Sequence, residues 1–201
     1  MLDQIIELDK KVFLFLNSFH TPWLDPIVLF ATHTFAWLPL YLFLLYMVIK
    51  EFKKETWIVL SGILLTILLA DQITSGFMKP FFERLRPSNE LSLQGIIHLV
   101  KHSDGSFYTG GLYGFSSGHA ANTFGAAVFF FLLFRTTKKW IGWIFVWAIA
   151  MTYTRIYLGV HYPGDVLVGG AIGTLAGITG YVFQRRLKQY VAKRKTPPVI
   201  N

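Results

Sequence analysis

Apolar residues in this chain arrive in long blocks, cut by short clusters of charge. One block runs over residues 26–49 and stops at Lys50, Lys53 and Lys54. A second covers 56–78 and ends at Lys79-Pro80. After a long polar stretch come 117–134, halted by Arg135, Lys138 and Lys139, then 140–152 and 166–183. Blocks that are apolar on all sides and roughly 20 residues long are what a helix needs to span a bilayer. The fourth block is short and is expected to continue into the adjoining stretch, residues 154–165. Five spanning helices are therefore predicted. Asp71 sits inside the second block, where a charge is expensive. Lys79 lies eight residues on, about two helical turns and so the same face. Pairing with Lys79 and simple contact with water are both open for Asp71.

The first residues have a different pattern. Leu2, Ile5, Ile6, Val12, Phe13, Leu16 and Phe19 can line one side of a helix, with Asp3, Gln4, Glu7, Lys10, Lys11 and Asn17 mostly elsewhere. So many charges oppose crossing, and an amphipathic helix in the membrane interface is expected, with a short first span as the alternative. His20-Thr21-Pro22-Trp23 then turns the chain.

Composition supports a membrane protein of one domain. The 201 residues are 53% hydrophobic and only 15% charged, against about 25% charged in ordinary soluble domains. The expected layout of residues 1–201 is an interfacial helix and turn over 1–25, a transmembrane core over 26–183 and a basic, frayed tail over 184–201 that includes Pro197-Pro198. The absence of cysteine excludes disulfides and thiol chemistry. Net charge is +8; beside such apolar blocks this suits anionic lipid better than nucleic acid. No cleavable signal sequence is evident, since Asp3, Glu7 and Asp9 stand where a basic segment would be.

Charge also orients the chain. With five spans, one side carries Lys50, Lys53, Lys54, Arg135, Lys138, Lys139 and six basic tail residues, Arg185 to Lys195. The other carries Lys10, Lys11, Lys79, Arg84, Arg86, Lys101 and Arg155. The positive-inside rule makes the first side cytoplasmic. Residues 79–119 and 154–165 then share the outer face.

Those outer segments hold three clusters: Lys79 with Arg86-Pro87, then Ser116-Ser117-Gly118-His119, then Arg155, His161 and Asp165. A histidine with a carboxylate four residues on can be a base or a nucleophile. Arginines beside it suit an oxyanion, phosphate above all. A helix start at Ser117 and Gly118 offers backbone N–H groups to the same anion. Taken singly, each basic residue could be an interfacial anchor, and Asp165 could be merely the first-turn acid of the last span. Spacing alone lets either histidine attack and the other transfer protons.

Together these motifs resemble the type 2 phosphatidic acid phosphatase (PAP2) family of integral membrane lipid phosphatases, over about residues 56–183. The resemblance implies a six-helix, all-α core made of five spans and the N-terminal helix. It implies His161 as nucleophile through a phosphohistidine, Asp165 as its support, and His119 as the group that protonates the leaving oxygen. Lys79, Arg86, Ser117, Gly118 and Arg155 would bind the phosphate. Two positions depart from the family pattern: Ser116 replaces a proline and Thr154 a serine. Either serine or proline at 116 can start a helix.

No cofactor or metal is expected, because cations around the pocket would repel a divalent ion. The expected partners are a lipid phosphate and the bilayer, with no nucleic acid and no obligate protein partner. The expected location is a bacterial inner membrane with the C-terminus cytoplasmic. The expected reaction is hydrolysis of a lipid phosphomonoester or pyrophosphate, of the phosphatidic acid, phosphatidylglycerol phosphate or polyprenyl pyrophosphate class. The alternatives are a narrow lipid A phosphatase and a non-catalytic phospholipid-binding or transport protein. Arg84 lies outside the motif and could face headgroups or contact the phosphate directly. Phe107, Tyr108 and Tyr113 could shape the headgroup pocket or be interfacial aromatics, and His20, His33, His98 and His102 fit no pattern. Gly169, Gly170, Gly173 and Gly177 read as close helix packing.

Overall fold

A computed structural model describes residues 2–195; Pro197-Pro198 and the end of the tail lie outside them. Among the described residues the fold is all-helical: α1 (Leu2–Asn17), α2 (Asp25–Ala31), α3 (Leu38–Phe52), α4 (Thr56–Asp71), α5 (Lys79–Phe82), α6 (Gly118–Phe134), α7 (Ile144–Tyr157) and α8 (Pro163–Lys195). Segments Thr34–Phe82 and Pro163–Arg194 are each long and apolar enough to cross a membrane, and α6 is a shorter apolar helix. Side chains on the outer faces include Leu64, Ile149, Leu167 and Leu175. Such surfaces suit hydrocarbon rather than water.

At the centre α4, α6 and α8 pack backbone to backbone. Glycines make this possible. A Cβ at Gly173 would collide with the Ala121 backbone, one at Gly177 would lie 2.5 Å from the Gly125 carbonyl oxygen, and one at Gly62 would lie 2.8 Å from Gln184 Cβ. Lipid tails are as apolar as leucine, so helices in a bilayer associate through such close contact rather than through expulsion of water. Beside this seam, Leu44, Met47 and Val48 of α3 join Phe129 and Phe134 of α6 and Ile144 and Ala148 of α7 in the largest apolar cluster.

The structure departs from the sequence reading in several places. The block over 26–49 is not one helix. α2 ends at Ala31, His33 is extended, and a 3₁₀ turn over Thr34–Trp37 precedes α3. The break frees the Thr32 hydroxyl for the site. The block over 56–78 widens at Gln72–Met78 into a π-helix, with the Lys79 N–H bonding the Thr74 carbonyl. Pro80 supplies a reason: it lacks an N–H and its ring would strike the carbonyl of Gly76 in a regular helix. The fourth block starts later, at Ile144, and reaches Tyr157. Basic residues after Phe183 do not fray; they continue α8 to Lys195. At 33 residues that helix is about 50 Å long, well beyond a hydrocarbon core of about 30 Å. Asp71 makes no ion pair with Lys79, whose ammonium bonds Ser75 Oγ at 3.0 Å instead.

α1 turns a largely polar stripe to the protein. Most of its apolar side chains, Ile5, Leu8 and Phe15 among them, point away from the protein. Its inward stripe is Asp9, Phe13 and Asn17, spaced by four residues. Phe13 is fully buried and meets the Tyr162 ring edge-on at 5.4 Å. Asn17 Nδ2 donates to the carbonyls of Ile156 and Tyr157, at 3.1 and 2.9 Å, and Asn17 Oδ1 accepts from the His98 N–H at 2.8 Å.

Gly173→Val should force α8 off α6 at Ala121. Overpacking of this kind costs about 3 kcal/mol, and a clear drop in melting temperature in detergent is expected, while Gly142→Ala, which faces open space, should melt like the native chain.

Candidate active site

Four segments meet at one end of the bundle: the π-helix with α5, the connection over 84–114, the start of α6, and the turn from α7 into α8. They bring together all eight residues singled out by the sequence: Lys79, Arg86, Ser117, Gly118, His119, Arg155, His161 and Asp165.

The π-helix delivers Lys79. A Cβ on Gly118 would sit 3.4 Å from Ser75 Oγ and 3.9 Å from Lys79 Nζ, so the ammonium lies against the first turn of α6. That turn is capped by Ser117, whose Oγ accepts from the Ala120 N–H at 3.4 Å. The helix thus starts at Ser117 and Gly118, as their types suggest, while Ser116 is not the cap and is buried with its hydroxyl on Met78 Sδ at 3.3 Å. The N–H groups of Gly118 and His119 belong to the first turn, which has no acceptor within its own helix.

The polar connection folds back on itself. Leu85 pairs with Tyr113 as an isolated antiparallel bridge. Extended backbone places alternate residues on one side, and Arg84 and Arg86 both turn inward. Arg86 Nε donates to the Tyr113 carbonyl at 3.2 Å. Gly110 has φ +67°, and a Cβ there would lie 2.6 Å from Arg86 Nη1, so only glycine fits on both counts. Arg155, on the last turn of α7, is buried and donates to Thr32 Oγ1 and, at 3.0 Å, to the Tyr108 hydroxyl. Arg86 Nη1 and Arg155 Nε are buried with no acceptor among the described residues. Two unmet guanidinium donors of this kind fit an anion with several oxygens.

His161 lies in the turn before α8 and is buried. Its Nδ1 faces Asp165 Oδ2 at 3.4 Å, long for a hydrogen bond. The same Oδ2 accepts the Tyr162 N–H at 2.9 Å. Pro163 opens α8, so Asp165 is its third residue and reaches back to the residue before the helix, half of a capping box. The two readings of Asp165, helix acid and histidine partner, are both true of one side chain. Burial, followed by the charges of Arg86, Arg155 and Lys79, holds the His161 imidazole well below its ordinary pKa. His119, on the first turn of α6, interacts with Arg155, His161 and Arg86.

Three residues outside the motifs contribute. Thr32, which nothing in its local sequence marks, and Tyr108, a candidate for the headgroup pocket, both hold Arg155. Arg84 donates from Nη1 to Asp165 Oδ1 at 2.8 Å and from Nη2 to Asp9 Oδ2 at 2.7 Å. Its spacing of two from Arg86 on an extended strand was a usable signal. Tyr113 contributes only its carbonyl, and Phe107 is exposed under Lys101. His98 pairs with Asp25 at 2.9 Å and stacks on His20 at 3.9 Å, tying the connection to α2.

A helical bundle with a cationic, histidine-bearing pocket at one end defines an anion-processing membrane protein. The chain belongs to the PAP2 superfamily, whose family model matches residues 57–189. It is 38% identical to a lipid A 4'-phosphatase of Bacteroides thetaiotaomicron over 93% of this chain and 81% of that protein. It is 35% identical to a lipid A 4'-phosphatase of Porphyromonas gingivalis, over 88% and 72% respectively. Among solved structures, Aquifex aeolicus LpxE superposes with a TM-score of 0.63 at 29% identity, covering 86% of this chain and 94% of that one. The chain is thus a phosphoric ester hydrolase, a lipid phosphatase of the PAP2 type.

A neighbouring cation raises the cost of charging an imidazole, so removing one should raise its pKa. Lys79→Met should therefore move the titration of His161, followed by NMR in detergent, toward higher pH. No movement, or movement downward, would mean that the lysine charge does not act on the imidazole.

Proposed function

We propose that the protein hydrolyses the phosphate ester or pyrophosphate of a membrane lipid through a phosphohistidine, with the site at the outer face of a bacterial inner membrane. The reading rests chiefly on one observation: a buried imidazole, facing a carboxylate, beside two buried guanidinium groups with unmet donors. In the first step His161 Nε2 forms a bond to phosphorus as the P–O bond to the lipid breaks, and His119 gives its proton to the departing oxygen. Asp165 stabilises the imidazolium that develops. In the second step His119 takes a proton from water, the hydroxide oxygen bonds phosphorus, and the N–P bond breaks to release inorganic phosphate. Lys79, Arg86, Arg155 and the first turn of α6, with Ser117 and Gly118, hold the three equatorial oxygens as charge shifts among them. Those fixed cations perform the charge neutralisation that a divalent metal supplies elsewhere.

A lipid substrate is supported by the surroundings of His119. A cavity of about 440 Å³ runs from His119 and Thr32 between α3, α4, α6 and α7, lined by Leu44, Val48, Val59, Ile63, Phe130 and Met151. That volume is of the size of small-molecule sites. From His119 to Phe130 it runs along α6 for about 16 Å. The acid that protonates a leaving group must touch it, so the space beside His119 belongs to the lipid half of the substrate. The two lipid A 4'-phosphatases similar to this chain over most of their length favour a lipid A phosphate as the narrower substrate.

Five crossings put the basic turns of the α3–α4 and α6–α7 connections and the end of α8 on one side. Lys188 supports this, bonding Glu55 at 2.8 Å. The positive-inside rule makes that side cytoplasmic.

The deciding experiment offers purified protein, with chelator present, a panel of lipid phosphates including lipid A. Inorganic phosphate release should persist in chelator and fall at least about 10³-fold in His161→Ala. Release that disappears with chelator and returns only with divalent metal would overturn the mechanism; release from no lipid would favour a binding protein. Filling the cavity with Val59→Trp should lower kcat/KM for long-chain lipids and leave a short-chain phosphomonoester unaffected.

A further inference from the structure

We propose that α1 belongs to the catalytic apparatus, through a brace in which Asp9 and Arg84 fix the carboxylate of Asp165. The inference rests on the reading of His161 and Asp165 given above. It assigns Asp9 and Arg84 as positioning residues, since neither touches the reacting atoms.

The contacts form an unbroken line. Asp165 is fully buried. Its Oδ2 is shared by His161 Nδ1 and the Tyr162 N–H, and its Oδ1 accepts from Arg84 Nη1 at 2.8 Å. Arg84 Nη2 donates in turn to Asp9 Oδ2 at 2.7 Å, and Asp9 Oδ1 accepts from the Gly164 N–H at 2.8 Å. Arg84 also lies over the Tyr162 ring at 4.1 Å. Both terminal nitrogens of Arg84 are thus committed to carboxylates and one face is covered by an aromatic ring. Arg84 is built as a strut and not as a phosphate ligand.

Physical chemistry explains why a strut is needed. A buried carboxylate without a full set of partners is costly. Asp165 also has Arg86 nearby, so a free Oδ1 would draw the carboxylate toward the phosphate pocket and away from His161. Charge-assisted, planar pairing by an arginine fixes orientation as well as charge. Asp9 secures the arginine from the other side and simultaneously satisfies one N–H of the first turn of α8. Gly164 has to be glycine for this, because a Cβ would meet Asp9 Oδ2 at 2.8 Å. The inward stripe of α1 also explains its placement: Phe13 anchors the helix on Tyr162, one turn beyond Asp9. The helix lies outside the region matched by the family model, which begins at residue 57.

The test measures kcat and KM on a lipid phosphate in mixed micelles, with melting temperature alongside. Small misplacements of a catalytic group cost on the order of 10²-fold. Arg84→Met should lower kcat by about that factor, with KM changed less than about threefold. Asp9→Asn keeps an acceptor for Gly164 but loses the ion pair; it should lower kcat about tenfold without lowering the melting temperature. Arg84→Lys should recover only part of the loss, because one ammonium cannot span both carboxylates. If Asp9 acts through Arg84, the double variant Asp9→Asn with Arg84→Met should be no slower than Arg84→Met alone. Lys10→Met, which cuts the neighbouring 3.3 Å ion pair to Glu90, should leave kcat unchanged. Native kcat in Asp9→Asn and Arg84→Met would overturn the brace, as would a raised KM with native kcat, which marks direct phosphate binding. If Arg84→Met does not fold, Asp9→Asn alone decides. An active His161→Ala would instead sink the underlying mechanism, so the two failures are distinguishable.

Discussion

Like charges dominate the working end of this molecule. Lys79, Arg86 and Arg155 crowd one pocket beside a membrane, where water screens them poorly, and two of the guanidinium groups are buried. Such an arrangement is stable only if each cation has fixed partners and if rigid backbone holds the set together. The partners are Ser75 for Lys79, the Tyr113 carbonyl for Arg86, and Thr32 with Tyr108 for Arg155. The rigidity comes from the glycine seam that locks α4, α6 and α8. The same constraint gives the site its chemistry. Guanidinium donors left without acceptors suit an oxyanion, and burial, followed by surrounding positive charge, holds the His161 imidazole well below its ordinary pKa.

Irregular backbone serves the same end. The π-helix at Gln72–Met78 directs Lys79 to the start of α6, the break after Ala31 turns the Thr32 hydroxyl toward Arg155, and the bridge at Leu85 aims two arginines inward. Each departs from the regular helix where hydrophobic patterning alone would continue it. Departures of this type collect at functional sites because they place side chains that regular geometry cannot.

Much of the design is legible in the chain. The apolar blocks give the long helices, and the three motifs give all eight residues that meet in the pocket. Their types and order carry the signal, since phosphate chemistry needs cations, a helix start and imidazoles together. A partner such as Thr32 is hidden because a hydroxyl that meets a distant arginine leaves no local periodicity, whereas Tyr108 is marked only as an aromatic beside glycines. The amphipathic pattern of α1 is legible, but not which of its residues the rest of the protein holds. Beside lipid the bilayer takes the apolar stripe, and polar Asp9 and Asn17 are what the protein holds. The start of α6 at Ser117 and Gly118 is legible from those residue types. At the other end of the chain, α8 runs on through basic residues whose charge alone suggests a frayed tail.

The glycine seam divides the bundle into unequal halves. Where α8 meets α4 and α6, main chain touches main chain, and almost any substitution there would spread the helices. The contact between α3 and its neighbours is made instead by the side chains of Leu44, Met47 and Val48, where volume-conserving swaps cost less than a Cβ added at the seam. Both His119 and His161 ride on the intolerant half. Volume-conserving changes in α3 can therefore reshape the neighbouring chamber while the two imidazoles stay where the seam puts them.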